Sequence, residues 1–317
     1  MPCMNGRAAG FALLCACVPA LAAPPARPSK TDLRFKAACL AFLEQKAPRN
    51  PSAKAAAAFY RAHPDADLRV ASPEEMGRYF GVFNPPWEQV GGYVDPPTKI
   101  LFMIESPKYG VVLRDASGRL LPAPDLDKAL AKIAARLVHE TSHLMVYEDF
   151  QDPLLGLVQN ELLAHVREAR YLERELTLTP ELRRVAERYQ YWQLLKTSGG
   201  AGALDDRIAA DFSRYGQPMM TQVVILADYR SGPRAFGNYL RGIYGPADGY
   251  WSVYGSPRRQ LSNISARLKD PKMPRVYRDY LLVQVDFWSD AGKVAAARRY
   301  FDRRLPGYKD LRWPGEE

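Results

Sequence analysis

Two histidines placed four residues apart around a glutamate, His139-Glu140-Thr141-Ser142-His143, constrain this chain more than any other feature. Residues four apart share a face only on a helix, so the segment has to be helical for both imidazoles to meet one ligand. The chain has only four histidines in 317 residues, which makes the placing of two of them here the first thing to explain.

The surrounding sequence supports a helix. From Asp127 to Tyr147, Leu130, Ile133, Leu137, Thr141 and Leu144 recur at helical spacing with no internal Gly or Pro, and Asp125 after Pro124 is the expected N-cap. A second helix is expected to open at Asp152-Pro153 and to run through Leu154, Leu157, Val158, Glu161 and Leu162 towards Leu172. Only the stretch around Asp149-Phe150-Gln151 separates the two, so they should fold back as an antiparallel hairpin. At a helical rise of about 1.5 Å per residue, His143 stands about 9 Å from the turn, His139 about 15 Å, and Glu161 about 12 Å up the facing helix. Glu161 is therefore expected level with the histidine pair.

Two imidazoles and a carboxylate leave one position of a tetrahedral Zn²⁺ for water, the pattern of a catalytic site. His139, His143 and Glu161 are the candidate ligands. Glu140 is the candidate general base, taking a proton as water attacks a carbonyl and handing it to the leaving amine.

The stretch Asn160-Glu161-Leu162-Leu163-Ala164 resembles the Asn-Glu-x-x-Ser/Ala signature of the second helix in gluzincins. These are zincin metallopeptidases with two histidines on one helix and a glutamate on the next, and the chain resembles them over roughly residues 90 to 170. The strand–turn–strand pattern Gly91 to Ile104, with Asp95-Pro96 at its turn, is similar to the hairpin that precedes the active helix in bacterial members. The resemblance implies a Zn²⁺-dependent metallopeptidase acting on peptide or protein substrates, with the substrate backbone added to the edge of the sheet as an extra strand.

One position departs from the pattern: thermolysin-like members carry an Asp four residues after the zinc-binding Glu, and here His165 stands there. His165 is open to four readings: a hydrogen bond to Glu161 one turn away, contact with a tetrahedral oxyanion, replacement of Glu161 as ligand, or an ordinary helix histidine. Two readings of the whole motif stand beside the peptidase: an envelope scaffold or binding protein of zincin fold that keeps zinc without turnover, and a helical protein without metal.

The expected fold class is α+β, a zincin-like lobe over residues 31–178 with a mainly helical C-terminal lobe over 179–317. Within the first, helices are expected over Thr31–Lys46 and Ser52–His63 and a strand at Leu68–Ala71. A capping box at Ser72-Pro73-Glu74-Glu75 should start a helix to Phe80, and a second hairpin is expected from Gly110–Arg114 and Arg119–Leu121. From Thr179-Pro180 the pattern is helical, broken at Ser198–Gly202, Gly216-Gln217-Pro218, Ser231-Gly232-Pro233 and Gly245-Pro246. The aromatic stretch Tyr244 to Gly255 either lines a substrate pocket or packs the core.

Residues 1–22 read as a signal peptide, with Arg7, an apolar run Ala8–Val18 too short to span a bilayer, and an Ala-x-Ala site ending at Ala22. Export is expected, with 23–30 as a linker; alternatively, Leu14-Cys15-Ala16-Cys17 resembles a lipobox that would leave Cys17 lipidated. With cleavage at Ala22, Cys39 is the single remaining thiol, and no internal disulfide can form. No later apolar run reaches transmembrane length. The net charge of +9 is spread over separate Arg pairs rather than blocked, which reads as solvated faces and yields no nucleic-acid module.

Overall fold

The computed structural model describes residues 27–80, 87–150, 158–197, 202–244, 257–271 and 273–309. The chain is α+β and mostly helical, with one three-stranded sheet among the described residues. Residues 1–26, the Asp152-Pro153 helix start, the break at Ser198 to Ala201 and the aromatic segment 245–256 lie outside the described residues. Among those described, no helix is long and apolar enough to cross a membrane.

Helices α1 (Lys30–Lys46) and α2 (Pro51–Ala62) begin at side-chain caps. Ser29 and Asp32 form a capping box on α1, and Asn50 accepts from the Ser52 and Ala53 amides ahead of α2, whose first residue is Pro51. Strand β1 (Asp67–Ala71) leads into α3 (Pro73–Phe80), where the expected capping box is present: the Ser72 amide donates to Glu75 Oε2 at 2.6 Å and the Glu75 amide to Ser72 Oγ at 3.2 Å.

Strands β2 (Gly92–Asp95) and β3 (Ile100–Ile104) pair antiparallel around a 3₁₀ turn, Pro96–Thr98, and β1 pairs parallel with β3, giving the order β1-β3-β2. The central strand β3 is buried throughout, as an apolar strand covered on both faces must be. Its side chains alternate: Leu101 and Met103 enter the main core, while Ile100, Phe102 and Ile104 pack with Met76 and Trp87 on the other face.

The second hairpin is reduced to isolated bridges, Ser106 with Val111 and Arg114 with Leu120. The Leu121 amide reaches Leu113 O at 3.0 Å, but the reciprocal donor is diverted. Glu105 Oε1 accepts from the Leu113 amide at 2.9 Å and the Arg114 amide at 2.8 Å, so the ladder cannot lengthen.

Helix α4 (Ala123–Phe150) has 28 residues and is about 42 Å long. It starts two residues before Asp125. The Asp125 and Leu126 amides both donate to Pro122 O, so Asp125 lies inside the first turn, where its charge still favours the helix dipole, rather than at the N-cap. From Leu137 to Leu144 every residue of α4 is buried, because the sheet, α1, α2, α5 (Val158–Glu175) and α8 (Gln217–Arg230) surround it.

The remaining chain forms α6 (Pro180–Thr197), α7 (Gly202–Tyr215), α9 (Pro233–Tyr244), α10 (Pro257–Leu268), α11 (Arg275–Ser289) and α12 (Ala291–Arg304). Thr179 caps α6 through a 3.2 Å bond from the Leu182 amide, and Gly216 and Gly232 take positive φ at the breaks before α8 and α9. One buried cluster joins Phe35 and Leu43 of α1, Ile133 and Leu137 of α4, Val223 and Ile225 of α8 and Phe301 of α12. Tyr277 on α11 donates to Asp95 at the end of β2 at 3.1 Å, fastening the C-terminal helices to the sheet.

Asp228 on α8 is a weak point in this packing. Gln190 donates to its Oδ1, Oδ2 is buried with no partner among the described residues, and burial pushes its carboxyl up to about 7. A raised folded-state value means that stability is lost as pH climbs from the unfolded carboxyl range, near 3.8, through 7. Asp228→Asn should therefore gain on wild type in Tm steadily between pH 4 and pH 8; a Tm difference that does not change with pH contradicts this.

Candidate metal centre

The α4 segment His139 to His143 is five consecutive buried polar residues, which costs free energy unless every group is satisfied. Two of them are structural. Thr141 Oγ1 donates back to Leu137 O at 2.7 Å, and Ser142 Oγ accepts from Arg167 Nη1 at 2.8 Å. The other three face α5 and the sheet.

His139 and His143 bring their Nε2 atoms to 3.3 Å of each other. Glu161 straddles the pair from α5, Oε2 at 3.7 Å from His139 Nε2 and Oε1 at 3.7 Å from His143 Nε2. The far side of each ring is tied down by an acceptor: His139 Nδ1 lies 3.1 Å from Glu168 Oε2 and His143 Nδ1 3.2 Å from Asn160 Oδ1. A carboxylate and an amide oxygen accept only, so each ring carries its proton on Nδ1 and turns a bare Nε2 lone pair towards the other. Two lone pairs facing each other repel unless a cation stands between them. Nitrogen ligands about 2.0–2.1 Å from a tetrahedral Zn²⁺ lie about 3.3–3.4 Å apart, matching the Nε2 separation.

The electrostatics fit the same donor set. Burial, helped by the nearby positive charge of Arg136, pushes His139 down to about 3, so the ring is neutral near pH 7, as a ligand must be. Burial pushes the Glu168 carboxyl up, but the Arg136 charge and the hydrogen bonds from His139 and His165 outweigh it and hold it well below the usual carboxylate range. Burial pushes Glu140 up to about 7 against the opposing charge of Arg136.

The structure brings together all five residues singled out from the sequence. Ligand atoms of His139, Glu140 and His143 lie within 4.8 Å of one another, as do those of His139, Glu161 and His165, and these buried groups could hold a metal ion. His165, 2 % exposed, packs its ring edge-on against His139 and places Nδ1 3.0 Å from Glu168 Oε2. Its environment is the cluster itself, and it shares one carboxylate oxygen with His139.

Two positions at the cluster escaped the sequence reading. Glu168 is the acceptor at His139 Nδ1, one turn along α5 beyond His165, the position at which the resemblance expects an Asp. Its spacing, seven residues after Glu161 and three after His165, puts it on the same helix face and was the available signal. Arg136, one turn before Glu140 on α4, places Nη1 3.9 Å from Glu140 Oε1.

Glu140 is also held from the sheet. A Cβ added to Gly92 on β2 would lie 2.7 Å from Glu140 Cγ and 3.0 Å from Oε1, so the glutamate lies flat on strand backbone that only glycine leaves open. No family model matches the chain, and no curated protein and no solved structure matches it.

Proposed function

We propose that this protein is a zinc-dependent hydrolase of peptide bonds, of gluzincin type. The observation that carries the reading is the pair of bare Nε2 atoms 3.3 Å apart beneath the Glu161 carboxylate, with Glu140 on the same helix face. His139, His143 and Glu161 would hold the ion, and Glu168 and Asn160 fix the rings through Nδ1. A divalent cation held there would supply Lewis-acid chemistry, polarising a substrate carbonyl and lowering the pKa of water. Glu140 accepts the proton of the attacking water on a carboxylate oxygen and returns it to the leaving amine. Strand β2 is an edge strand of the sheet and packs against α4, where its Gly92 seats Glu140. On the reading of residues 1–22 as an export signal, the reaction takes place in the cell envelope or outside the cell.

The test is hydrolysis of quenched fluorescent peptides by metal-loaded protein. Chelation should abolish it and Zn²⁺ restore it. A second reading, a silent zinc-binding scaffold, is favoured by one observation: His165 groups with His139 and Glu161 and would close the coordination shell as a further donor. Full metal loading with no turnover of any peptide supports the scaffold and rejects the hydrolase.

Gly92→Ala gives a sharper check. The three atoms nearest to the added methyl all belong to Glu140, so the displacement falls first on that residue. A shift of about 1 Å in a catalytic group costs on the order of 10²-fold in rate. Turnover should fall by that order while metal content stays at the wild-type level; unchanged turnover would show that Glu140 is not held by the strand.

A further inference from the structure

Arg167 on α5 is a half-buried cation with no carboxylate at ion-pair distance among the described residues. Its Nη1 is anchored inward, donating to Ser142 Oγ at 2.8 Å and to Met145 Sδ at 3.2 Å, and both acceptors are neutral. The other edge of the guanidinium, Nε with Nη2, makes no hydrogen bond among the described residues, and neither atom is sealed from solvent. That edge carries two parallel N–H donors, the fork that fits two oxygens of one oxyanion.

The surroundings of Arg167 are positive. Arg170, three residues on and so a neighbour on the same helix, donates from Nε to the Tyr229 hydroxyl of α8 at 3.3 Å. Arg304 of α12 lies with its guanidinium 3.4 Å over the Tyr300 ring. The carboxylate that acts on Arg167 is Asp149 at the end of α4, and it is already engaged: it accepts from the Tyr300 hydroxyl and faces Arg304 Nη2 at 3.6 Å. Burial, with the charges of Arg304 and Arg170 adding to it, pulls the Arg167 guanidinium below its usual range against the attraction of Asp149. Three guanidinium groups and one carboxylate leave a net charge of +2 where α4, α5 and α12 meet. A half-buried guanidinium among like charges is unfavourable unless an anion joins it.

We propose that Arg167, Arg170 and Arg304 form a binding site for a phosphate group, either the free ion or one carried by a small organic molecule. A doubly charged tetrahedral oxyanion matches the charge of the junction. Two of its oxygens take the open Arg167 fork, and the others remain for the neighbouring guanidinium groups. Held there, the anion joins α5 to α12 and stabilises the folded state. None of the three arginines takes part in the proposed hydrolysis, so the site stands whether or not that reading holds.

The test is titration calorimetry of the zinc-loaded protein with inorganic phosphate and with glycerol phosphate, in chloride of constant ionic strength. Phosphate should bind, and Arg167→Gln should weaken it on the order of ten- to a hundredfold, the loss expected when charge-assisted hydrogen bonds are removed. Should that variant fail to fold, Arg170→Gln combined with Arg304→Gln, two changes nearer the surface, should weaken binding as well. An ester bound at least as tightly as the free ion identifies an organic phosphate as the ligand, and a weaker one identifies the ion. The same titration after removal of the zinc should give the same affinity. Binding that vanishes with the zinc and survives Arg167→Gln belongs to the metal and overturns the proposal. So does the absence of any phosphate binding above the chloride background.

Discussion

Replacing Glu140 with Gln should lower peptide hydrolysis by about 10²- to 10⁴-fold, the range that a positioned general base contributes. The amide keeps the shape of the side chain and its seat on Gly92, but it cannot take a proton from water. Metal content should stay at the wild-type level because His139, His143 and Glu161 are untouched. Folding stability should hold as well, since the change removes an ionisable group that burial already pushes up to about 7. Activity assays and elemental analysis on the same preparation check both halves. Retained turnover assigns the proton to another group, and loss of metal together with activity makes Glu140 a ligand instead.

Replacing His143 with Ala should have the second large effect, on metal binding and stability together. The imidazole is 5 % exposed and connects Asn160 behind it to Glu161 and His139 in front. Its removal leaves the Asn160 amide oxygen buried without that donor, at a cost of about 1–3 kcal/mol, and deletes one of three proposed ligands. Ligand that binds only the folded state stabilises by about 4 kcal/mol when present at a thousand times its dissociation constant. Wild-type Tm should therefore rise with added Zn²⁺ and fall on chelation, whereas the Tm of His143→Ala should be lower and insensitive to either. Calorimetric scans with and without Zn²⁺ decide it, and a wild-type Tm that ignores the metal would count against the site.

The parts of the site legible in the sequence were those fixed by helix geometry alone. The spacing of His139 and His143, and the distance of Glu161 from the turn, depend on a constant rise and a 3.6-residue repeat, and in the structure Glu161 reaches both rings. Local capping was equally readable, at Ser72–Glu75 and at Thr179, because each involves residues three apart. The orienting partners were not. Whether Glu168 or a nearer residue reaches His139 depends on how α5 is rotated against α4, which packing of the whole core decides. The same holds for Gly92, whose value appears only once β2 lies against α4. The shortened second hairpin failed as a sequence reading because Glu105, outside the pattern, takes the Leu113 and Arg114 amides. The pairing of β1 with β3 rather than with its nearer neighbour β2 is likewise a choice of the assembled sheet.

The most direct test of the central claim is a crystal of zinc-loaded protein measured on both sides of the zinc absorption edge. The account predicts one anomalous peak about 2.0–2.2 Å from His139 Nε2, His143 Nε2 and a Glu161 carboxylate oxygen. No peak there in metal-loaded crystals, or a peak coordinated by other residues, would contradict it.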